Sequence, residues 1–254
     1  MSVLLAFLAL TSHVFAQGTH YLYGPTWGYR DYRAKGHIVT METTLTPGPV
    51  PANVAPRMAL WPGMDTTKGL VQPIIVSSSE GLYQGAQCGG AKRDQWCVFA
   101  SMIVGNIKQE MGKRVPLNAD DKLVMKFKYN DTLGGYGQWL YIKDKMVSTL
   151  SIPSGKSNSF YVDTECQGSH KGTISAHTYT NTTIVLSEAN PSWGLKPQNH
   201  YLACADKSSS DDGGKTWRIP NIWLMKSEAT KDYQKPQTPG PAFCPGGPRG
   251  GKGE

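Results

Sequence analysis

A period-two alternation of apolar and polar residues is the feature that most constrains how this chain can fold. It is clearest at residues 122–129, where Leu123, Met125 and Phe127 share one face and lysines occupy the other. A strand with this pattern buries one face and exposes the other to solvent. No segment shows the i, i+3, i+4, i+7 spacing of an amphipathic helix. The sequence therefore predicts an all-β, antiparallel β-sandwich.

Further alternating runs recur between clusters of Gly, Pro, Asn and Asp, as expected for the strands of a sandwich. They span residues 37–45, 57–61, 70–77, 96–104, 138–142, 146–150, 160–163, 182–188, 200–204 and 222–225. Lys143 and Asp144 separate two of these runs and predict a tight hairpin turn. Gly134 and Gly135 supply positive-φ positions for another turn.

The most specific local motif runs from Ser210 to Trp217 and matches every fixed position of the Asp-box, S-x-D-x-G-x-T-W. In such a box the Ser and Asp side chains bond turn amides, while the Trp packs beneath the turn. Sialidases repeat the box around a propeller, but here it occurs once and the chain is too short for several four-stranded blades. The motif predicts a structural hairpin and excludes a sialidase.

The two ends of the chain differ in composition from the middle. Residues 1–16 lack Asp, Glu, Lys and Arg and end on small and apolar residues, which is typical of a signal peptide cut before Gln17. No stretch approaches the roughly 20 apolar residues that cross a bilayer, so we expect a secreted, extracellular protein with no membrane partner. Residues 229–254 are rich in Pro and Gly and predict a disordered tail. Residues 17–228 then form one β-sandwich domain with an N-terminal aromatic segment.

Five cysteines follow the predicted signal peptide, as expected in an oxidising compartment. Cys88 and Cys97 bracket a Gly-rich turn and are the first pair to expect. Cys166 and Cys204 are the expected second bridge, which leaves Cys244 free or available for an intermolecular bond.

The surface chemistry is that of a basic protein, with a net charge of +7. Such a charge favours acidic partners, uronic-acid polysaccharides among them. The basic residues are dispersed and no nucleic-acid module is recognisable, so we expect no nucleic-acid partner. Sequons at Asn130 and Asn181 predict N-glycosylation.

The segment from Trp61 to Asp65, Trp-Pro-Gly-Met-Asp, followed by Gln72, resembles the Trp-x-Gly-Ile-Asp … Leu-Gln segment of the fungal glutamic peptidases (eqolisins). That resemblance implies a concanavalin A-like jelly-roll fold. It also implies that Gln72 matches the family's catalytic glutamine, which acts with a glutamate on water and the oxyanion. Thr182 stands where the glutamate is expected. Glu165 is the best replacement, because Glu188 lies about 20 Å further along the strand.

Other candidate catalytic groups are Glu165, His170 and His177, which fall within one region and could serve as acid and base. Their spacing matches no metal-ligand pattern, so neither a metal nor another cofactor is expected. In a lyase acting on acidic glycans, Gln72 would neutralise the substrate carboxylate while a histidine or Tyr141 removed the proton.

Aromatic side chains on or beside strands predict carbohydrate stacking, and we select Trp61, Trp139 and Trp193 for this role. The leading hypothesis is a secreted, monomeric, glycan-directed protein that binds or cleaves an extracellular or cell-wall polysaccharide. The alternatives are an acid endopeptidase related to the glutamic peptidases and a non-catalytic secreted interaction protein.

Overall fold

The computed structural model describes residues 21–30, 36–51, 57–78, 84–105, 108–167, 172–199, 202–229 and 244. In this part of the chain the structure is almost entirely antiparallel β-strand, with short 3-10 turns at Ala86–Cys88 and Trp193–Leu195. None of the described helical segments is long and apolar enough to span a bilayer. The predicted signal peptide (1–16) and His170 lie outside the described residues, as does the predicted tail except for Ala229 and Cys244.

The strands form two large sheets, which we call sheet A and sheet B. Sheet A runs in the order β10-β7-β6-β4-β14-β2-β17, with β1, β5, β8 and β9 attached to it. Its strands are β1 (Tyr21–Tyr23), β2 (Trp27–Arg30), β4 (Arg57–Thr66), β5 (Gly69–Val71), β6 (Ile74–Ser78), β7 (Trp96–Phe99), β8 (Ser101–Val104), β9 (Lys108–Met111), β10 (Val115–Leu117), β14 (Ser159–Gln167) and β17 (Gln198–Asn199).

Sheet B runs in the order β13-β12-β11-β3-β16-β19-β18. Its strands are β3 (Ile38–Thr46), β11 (Leu123–Asn130), β12 (Gly135–Ile142), β13 (Lys145–Ile152), β16 (His177–Leu186), β18 (Ala203–Ala205) and β19 (Thr216–Leu224). A separate two-stranded ribbon pairs β15 (Gly172–Ile174) with β20 (Ser227–Ala229).

The main core lies between the two sheets and confirms the predicted jelly-roll sandwich. The apolar face predicted for residues 122–129 faces this core, with Leu123, Met125 and Phe127 all buried. A second, smaller apolar cluster lies on the outer side of sheet A, where Trp61 and Tyr161 pack with residues of β6, β7 and the Cys88–Cys97 loop.

The turn at Lys143 and Asp144 is confirmed, since it joins β12 to β13 and both residues have positive φ, 49° and 63°. Two predicted strands are each divided. The run 70–77 is interrupted between β5 and β6, and the run 96–104 is interrupted at Ala100. These breaks separate a marginal part of sheet A from its main row of strands. In that part β5 pairs with β4 and β8, and β8 pairs with β9.

The Asp-box forms the predicted hairpin. The Asp212 carboxylate accepts hydrogen bonds from the amides of Thr216 (2.8 Å) and Lys215 (3.0 Å). Hydrogen bonds from Thr216, and then those from Ser210 and Lys215, lower the pKa of Asp212 to about 2. The Ser210 hydroxyl accepts from the Gly214 amide at 2.9 Å. Trp217 is buried beneath the turn, so the motif is structural.

One disulfide prediction is confirmed and one is wrong. Cys88 and Cys97 are bonded. Cys204 bonds to Cys244, whereas Cys166 is a buried free thiol. The predicted pairing fails because Cys166 points from β14 of sheet A into the core, whereas Cys204 lies on the edge strand of sheet B. Cys244 is therefore not available for an intermolecular bond; its amide also donates to Ala205 O at 3.0 Å.

Candidate functional site

The outer faces of the two sheets differ in their accessibility. On sheet A, the outward side chains at Trp61, Ile74, Val76, Phe99 and Tyr161 are buried under the loop that the Cys88–Cys97 disulfide closes. On sheet B, the outward side chains of the central strands are exposed or half-buried. An extended ligand can therefore reach sheet B, and the covered face of sheet A is closed to it.

Trp139 is a large aromatic residue of the open face, on the second strand from one edge of sheet B. It lies on β12, two residues after Gly137, and it is half-buried. Its ring lies over Gly137, because a Cβ at that glycine would be 2.8 Å from Trp139 Cζ2 and would overlap the neighbouring ring carbon. A glycine at this position thus leaves room for the indole against the sheet.

Charged and aromatic side chains surround this indole. Lys126 lies opposite Trp139 in the register, and Glu42 lies opposite Lys126 on the next strand. Lys126 Nζ is 3.1 Å from Glu42 Oε2 and 5.8 Å from the centre of the Tyr141 ring. Because both charged side chains are about half exposed, at 47% and 48%, the ion pair orders this surface more than it stabilises the fold. The result is an aromatic surface flanked by ordered hydrogen-bonding groups.

The same row of the sheet continues away from Trp139 through Glu42 to Thr183 and Arg218. Neighbouring outward positions on β3 and β16 are occupied by half-buried threonines, at Thr40, Thr44, Thr178 and Thr180. The open face is therefore polar and hydroxyl-rich in its middle, with the Trp139 and Tyr141 rings on one side and the Trp223 ring on the other.

Trp61 and Trp193 are not part of any open aromatic surface, and their predicted role in stacking on carbohydrate is wrong. Trp61 is 3% exposed within the outer cluster of sheet A, and Trp193 is 2% exposed in the main core. The Trp193 indole also donates a hydrogen bond to Asn158 O at 2.9 Å, as a core tryptophan does. Of the predicted carbohydrate-binding residues, Trp139 alone is accessible.

Gln72 follows β5 and is also buried, at 2% exposure. It lies between Leu70 and Ile74, which both belong to the covered outer cluster of sheet A. Its backbone N–H donates to Ser101 O at 3.0 Å, while its side-chain Oε1 accepts no hydrogen bond from any described residue. A buried carboxamide on a covered face cannot meet a polymer substrate.

The carboxylate expected beside Gln72 is absent from its surroundings. Glu165 lies opposite Ala59, whereas Val71, next to Gln72, lies opposite Met64. Gln72 is therefore level with Gly63, four residues along β4 from Ala59. At about 3.3 Å per residue, Glu165 and Gln72 are about 13 Å apart along the strands, well beyond the ~3 Å reach of acid–base chemistry. Thr182 faces the core of sheet B, where its hydroxyl is 2.7 Å from that of Thr43.

His177 lies inside the sandwich rather than in a loop. Its Nδ1 is 3.0 Å from Ser175 O, and its Nε2 has no described hydrogen-bond partner. Burial lowers its pKa to about 4, against the opposing effect of the Ser175 carbonyl. Tyr141 occupies the opposite face of the same sheet, so these two groups cannot act on one substrate.

The predicted catalytic residues are therefore distributed over different places: Gln72 on the covered face, Glu165 further along sheet A, His177 in the core and Tyr141 on the open face. Within the described residues, no cluster of His, Cys, Asp and Glu can hold a metal ion. Asn130 and Asn181, the predicted glycosylation sites, are both exposed. Their glycosylation stays a prediction.

Sequence reasoning missed Gly137, Lys126 and Glu42 as partners of Trp139. The signal was present in the alternation Gly137-x-Trp139-x-Tyr141, which places a glycine and two aromatic rings on one face of a strand. The sequence predicts that the lysines of residues 122–129 occupy the solvent-exposed face of a strand. Which residues of β12 lie beside them depends on the register between the two strands.

No family model and no curated protein sequence matches this chain. Among solved structures, scytalido-glutamic peptidase with a transition state analog inhibitor has a TM-score of 0.44 and 11% identity, and the match covers 80% of this chain and 98% of that one. SCP-B, a member of the eqolisin family of peptidases in a complex with the tripeptide Ala-Ile-His, has a TM-score of 0.41 and 11% identity over the same shares. Bacillus licheniformis beta-glucanase has a TM-score of 0.32 and 9% identity, and the match covers 80% of this chain and 77% of that one. These weak likenesses accompany the distant resemblance in the sequence.

Proposed function

We propose that this is a secreted protein that binds a polysaccharide along the open face of sheet B, with Trp139 as its principal contact. The observation that carries the proposal is the indole of Trp139 lying over Gly137, beside Tyr141, on a face that no described segment covers.

The chemistry of this face matches that of a sugar chain. The C–H-bearing faces of pyranose rings stack on the faces of aromatic side chains, whereas their hydroxyls need donors and acceptors around the ring. Trp139 and Tyr141 supply the first requirement. Lys126 and Glu42 supply the second, as do the threonines of β3 and β16. Strand residues hold these groups in a fixed register, so little ordering is needed on binding.

The proposal is for binding rather than cleavage, because the predicted acid–base residues that the structure describes do not meet one another, and only Tyr141 lies on the open face. A two-carboxylate glycosidase requires carboxyl groups roughly 5–10 Å apart at the scissile bond. Glu42, the carboxylate nearest Trp139 in the register, is instead held by Lys126.

The test is affinity electrophoresis of the full chain in gels that contain laminarin, carboxymethyl cellulose, polygalacturonate or chitosan. We expect at least one polymer to retard the wild type, and Trp139→Ala to remove the retardation. Gly137→Ala is the sharper variant, because the added methyl group pushes the indole of Trp139 out of its position although residue 139 is still a tryptophan. We expect it to weaken binding as well.

Leu195→Ala is the matched control, because Leu195 is an exposed apolar residue of the 3-10 turn Trp193–Leu195, outside the open face of sheet B. It should retain binding. The proposal is wrong if none of the polymers retards the wild type, or if Trp139→Ala and Gly137→Ala migrate like the wild type in the retarding gel.

A further inference from the structure

A cleft of about 510 Å³ opens at one end of the sandwich, away from the Trp139 surface. Its volume falls within the ~300–1,000 Å³ of small-molecule sites. Four ionisable side chains line it: His37, Asp65, Lys156 and Glu188. We call this feature the end cleft.

One wall of the end cleft is built where β3 begins and β16 ends. The His37 amide donates to Ser187 Oγ at 2.9 Å, and the Ser187 amide donates to His37 O at 2.7 Å. Gly36, with φ 81°, lies against Glu188, where an added Cβ would be 3.2 Å from Glu188 Cβ. This backbone pairing fixes Glu188 beside His37.

The other wall joins the end of β4 to the segment before β14. The Lys68 amide donates to Ser154 O at 3.1 Å. Gly155, with φ 79°, packs so closely on Thr67 that a side chain there would overlap it. This contact brings Asp65 and Lys156 to the same opening. Asp65 is oriented by the Tyr161 hydroxyl, which donates to its Oδ1 at 2.8 Å.

The two exposed charges of the end cleft, Lys156 and Glu188, do not form an ion pair with each other. Neither Lys156 nor Glu188 forms an ion pair with any residue that the structure describes. Lys156 Nζ lies 5.7 Å from the centre of the Tyr129 ring, and the His37 ring lies 4.9 Å from that same ring. Burial, and then the Lys156 charge, lower the pKa of His37, so its imidazole is neutral near pH 7. The end cleft then presents one ammonium, of Lys156, and one carboxylate, of Glu188, that form no ion pair with a described residue.

We propose that the end cleft binds a small zwitterion, whose ammonium group contacts Glu188 and whose carboxylate contacts Lys156. Such a ligand satisfies both kinds of charge at once through charge-assisted hydrogen bonds. A ligand with a single charge satisfies only one kind. The ligand chemistry has two natural sources: short peptides or amino acids, and sugars that carry both an amine and a carboxylate.

The test is isothermal titration of the full chain with two zwitterions, glycylglycine and muramic acid, and with two singly charged analogues, glycinamide and N-acetylglycine. We expect at least one zwitterion to bind, and each analogue to bind about tenfold to a hundredfold more weakly, since one charged hydrogen-bonding group is lost. Which zwitterion binds identifies the source.

Glu188→Gln and Lys156→Gln should each weaken the zwitterion by the same factor, and both positions are exposed, so the fold should persist. Lys145→Gln, an exposed lysine at the β12–β13 turn, is the matched control and should bind like the wild type. The proposal fails if neither zwitterion binds at millimolar concentration, if the analogues bind equally well, or if the cleft variants bind normally. Trp139→Ala should not alter this binding, which separates it from the glycan proposal.

Discussion

Replacing His177 should change how the stability of the fold depends on pH. The imidazole is buried between the sheets, and burial lowers its pKa from 6.5 to about 4 in the folded protein. In the unfolded chain the pKa returns to about 6.5. Between these two values the unfolded chain binds a proton that the folded chain excludes, so the free energy of unfolding falls as the pH falls.

The size of this effect follows from the two pKa values. A tenfold change in proton affinity corresponds to about 1.4 kcal/mol, so the change from 6.5 to about 4 amounts to about 3 kcal/mol. The contribution is absent above pH 6.5, grows as the pH falls towards 4 and is constant below. A loss of this size is a large part of the ~5–15 kcal/mol that stabilises a typical domain.

His177→Asn is the informative variant, because the shorter amide keeps a donor near Ser175 O and cannot titrate in this range. Urea unfolding followed by tryptophan fluorescence at several pH values between 4 and 7.5 gives the stability of both proteins. At pH 7 we expect the variant to be the less stable of the two, since it leaves a cavity. At pH 4 the difference should have moved in favour of the variant by about 3 kcal/mol.

The other titrating groups are common to both proteins, so the pH dependence of the difference isolates His177. His37→Asn is the matched control; its imidazole is only half-buried at the end cleft, and the pH effect should be smaller. A stability difference between wild type and His177→Asn that is constant from pH 4 to 7.5 would refute the reasoning. So would an imidazole resonance of His177 that titrates near pH 6.5.

Two further predictions concern the cysteines and the Asp-box. Burial raises the pKa of the Cys166 thiol to about 12, so a disulfide-exchange reagent such as DTNB should find no reactive thiol in the native protein and one after denaturation; a reactive native thiol would contradict the pairing of Cys204 with Cys244. Asp212→Ala should lower the melting temperature because the amides of Lys215 and Thr216 lose their acceptor, whereas Asp211→Ala, which removes only an exposed ion pair with Arg218, should leave it nearly unchanged. Equal melting temperatures for the two Asp-box variants would contradict a structural role for Asp212.

The strands could be predicted from local patterns, because side-chain alternation at residues such as Leu123, Met125 and Phe127 depends only on the two-residue period of a strand. The same is true of the turn at Lys143 and Asp144 and of the Asp-box, where short side chains bond nearby amides. These features are encoded within about ten residues, so no long-range information is needed to find them.

The candidate site could not be predicted in this way, because accessibility depends on long-range packing. Trp61 and Trp139 have similar local sequences, each with a glycine two residues away. Trp61 is buried because a distant loop, closed by Cys88 and Cys97, covers its face of sheet A. No comparable segment among the described residues covers Trp139, and the sequence carries no local sign of that difference.

A bulge in β16 changes which of its side chains face the core, and the two-residue period alone does not predict it. Asn181 has φ 54°, and the register of β16 with β3 shifts between Thr180 and Thr183. As a result Tyr179 and Thr182, three residues apart, both face the core. Glu188 lies past the end of β16, at the end cleft, so it does not replace the acid expected at Thr182.

The buried histidine also bears on the acid endopeptidase alternative. An acid peptidase must stay folded at low pH. There the unfolded chain binds a proton at His177 more tightly than the folded chain does, which lowers the free energy of unfolding by about 3 kcal/mol. Such an enzyme also needs an accessible glutamine with a carboxylate within hydrogen-bond reach. Gln72 is buried on a covered face, and Thr182 bonds to Thr43 in the core. Stability and geometry therefore argue in the same direction, and an open polar surface around Trp139 is the better basis for function than the segment that resembles a peptidase.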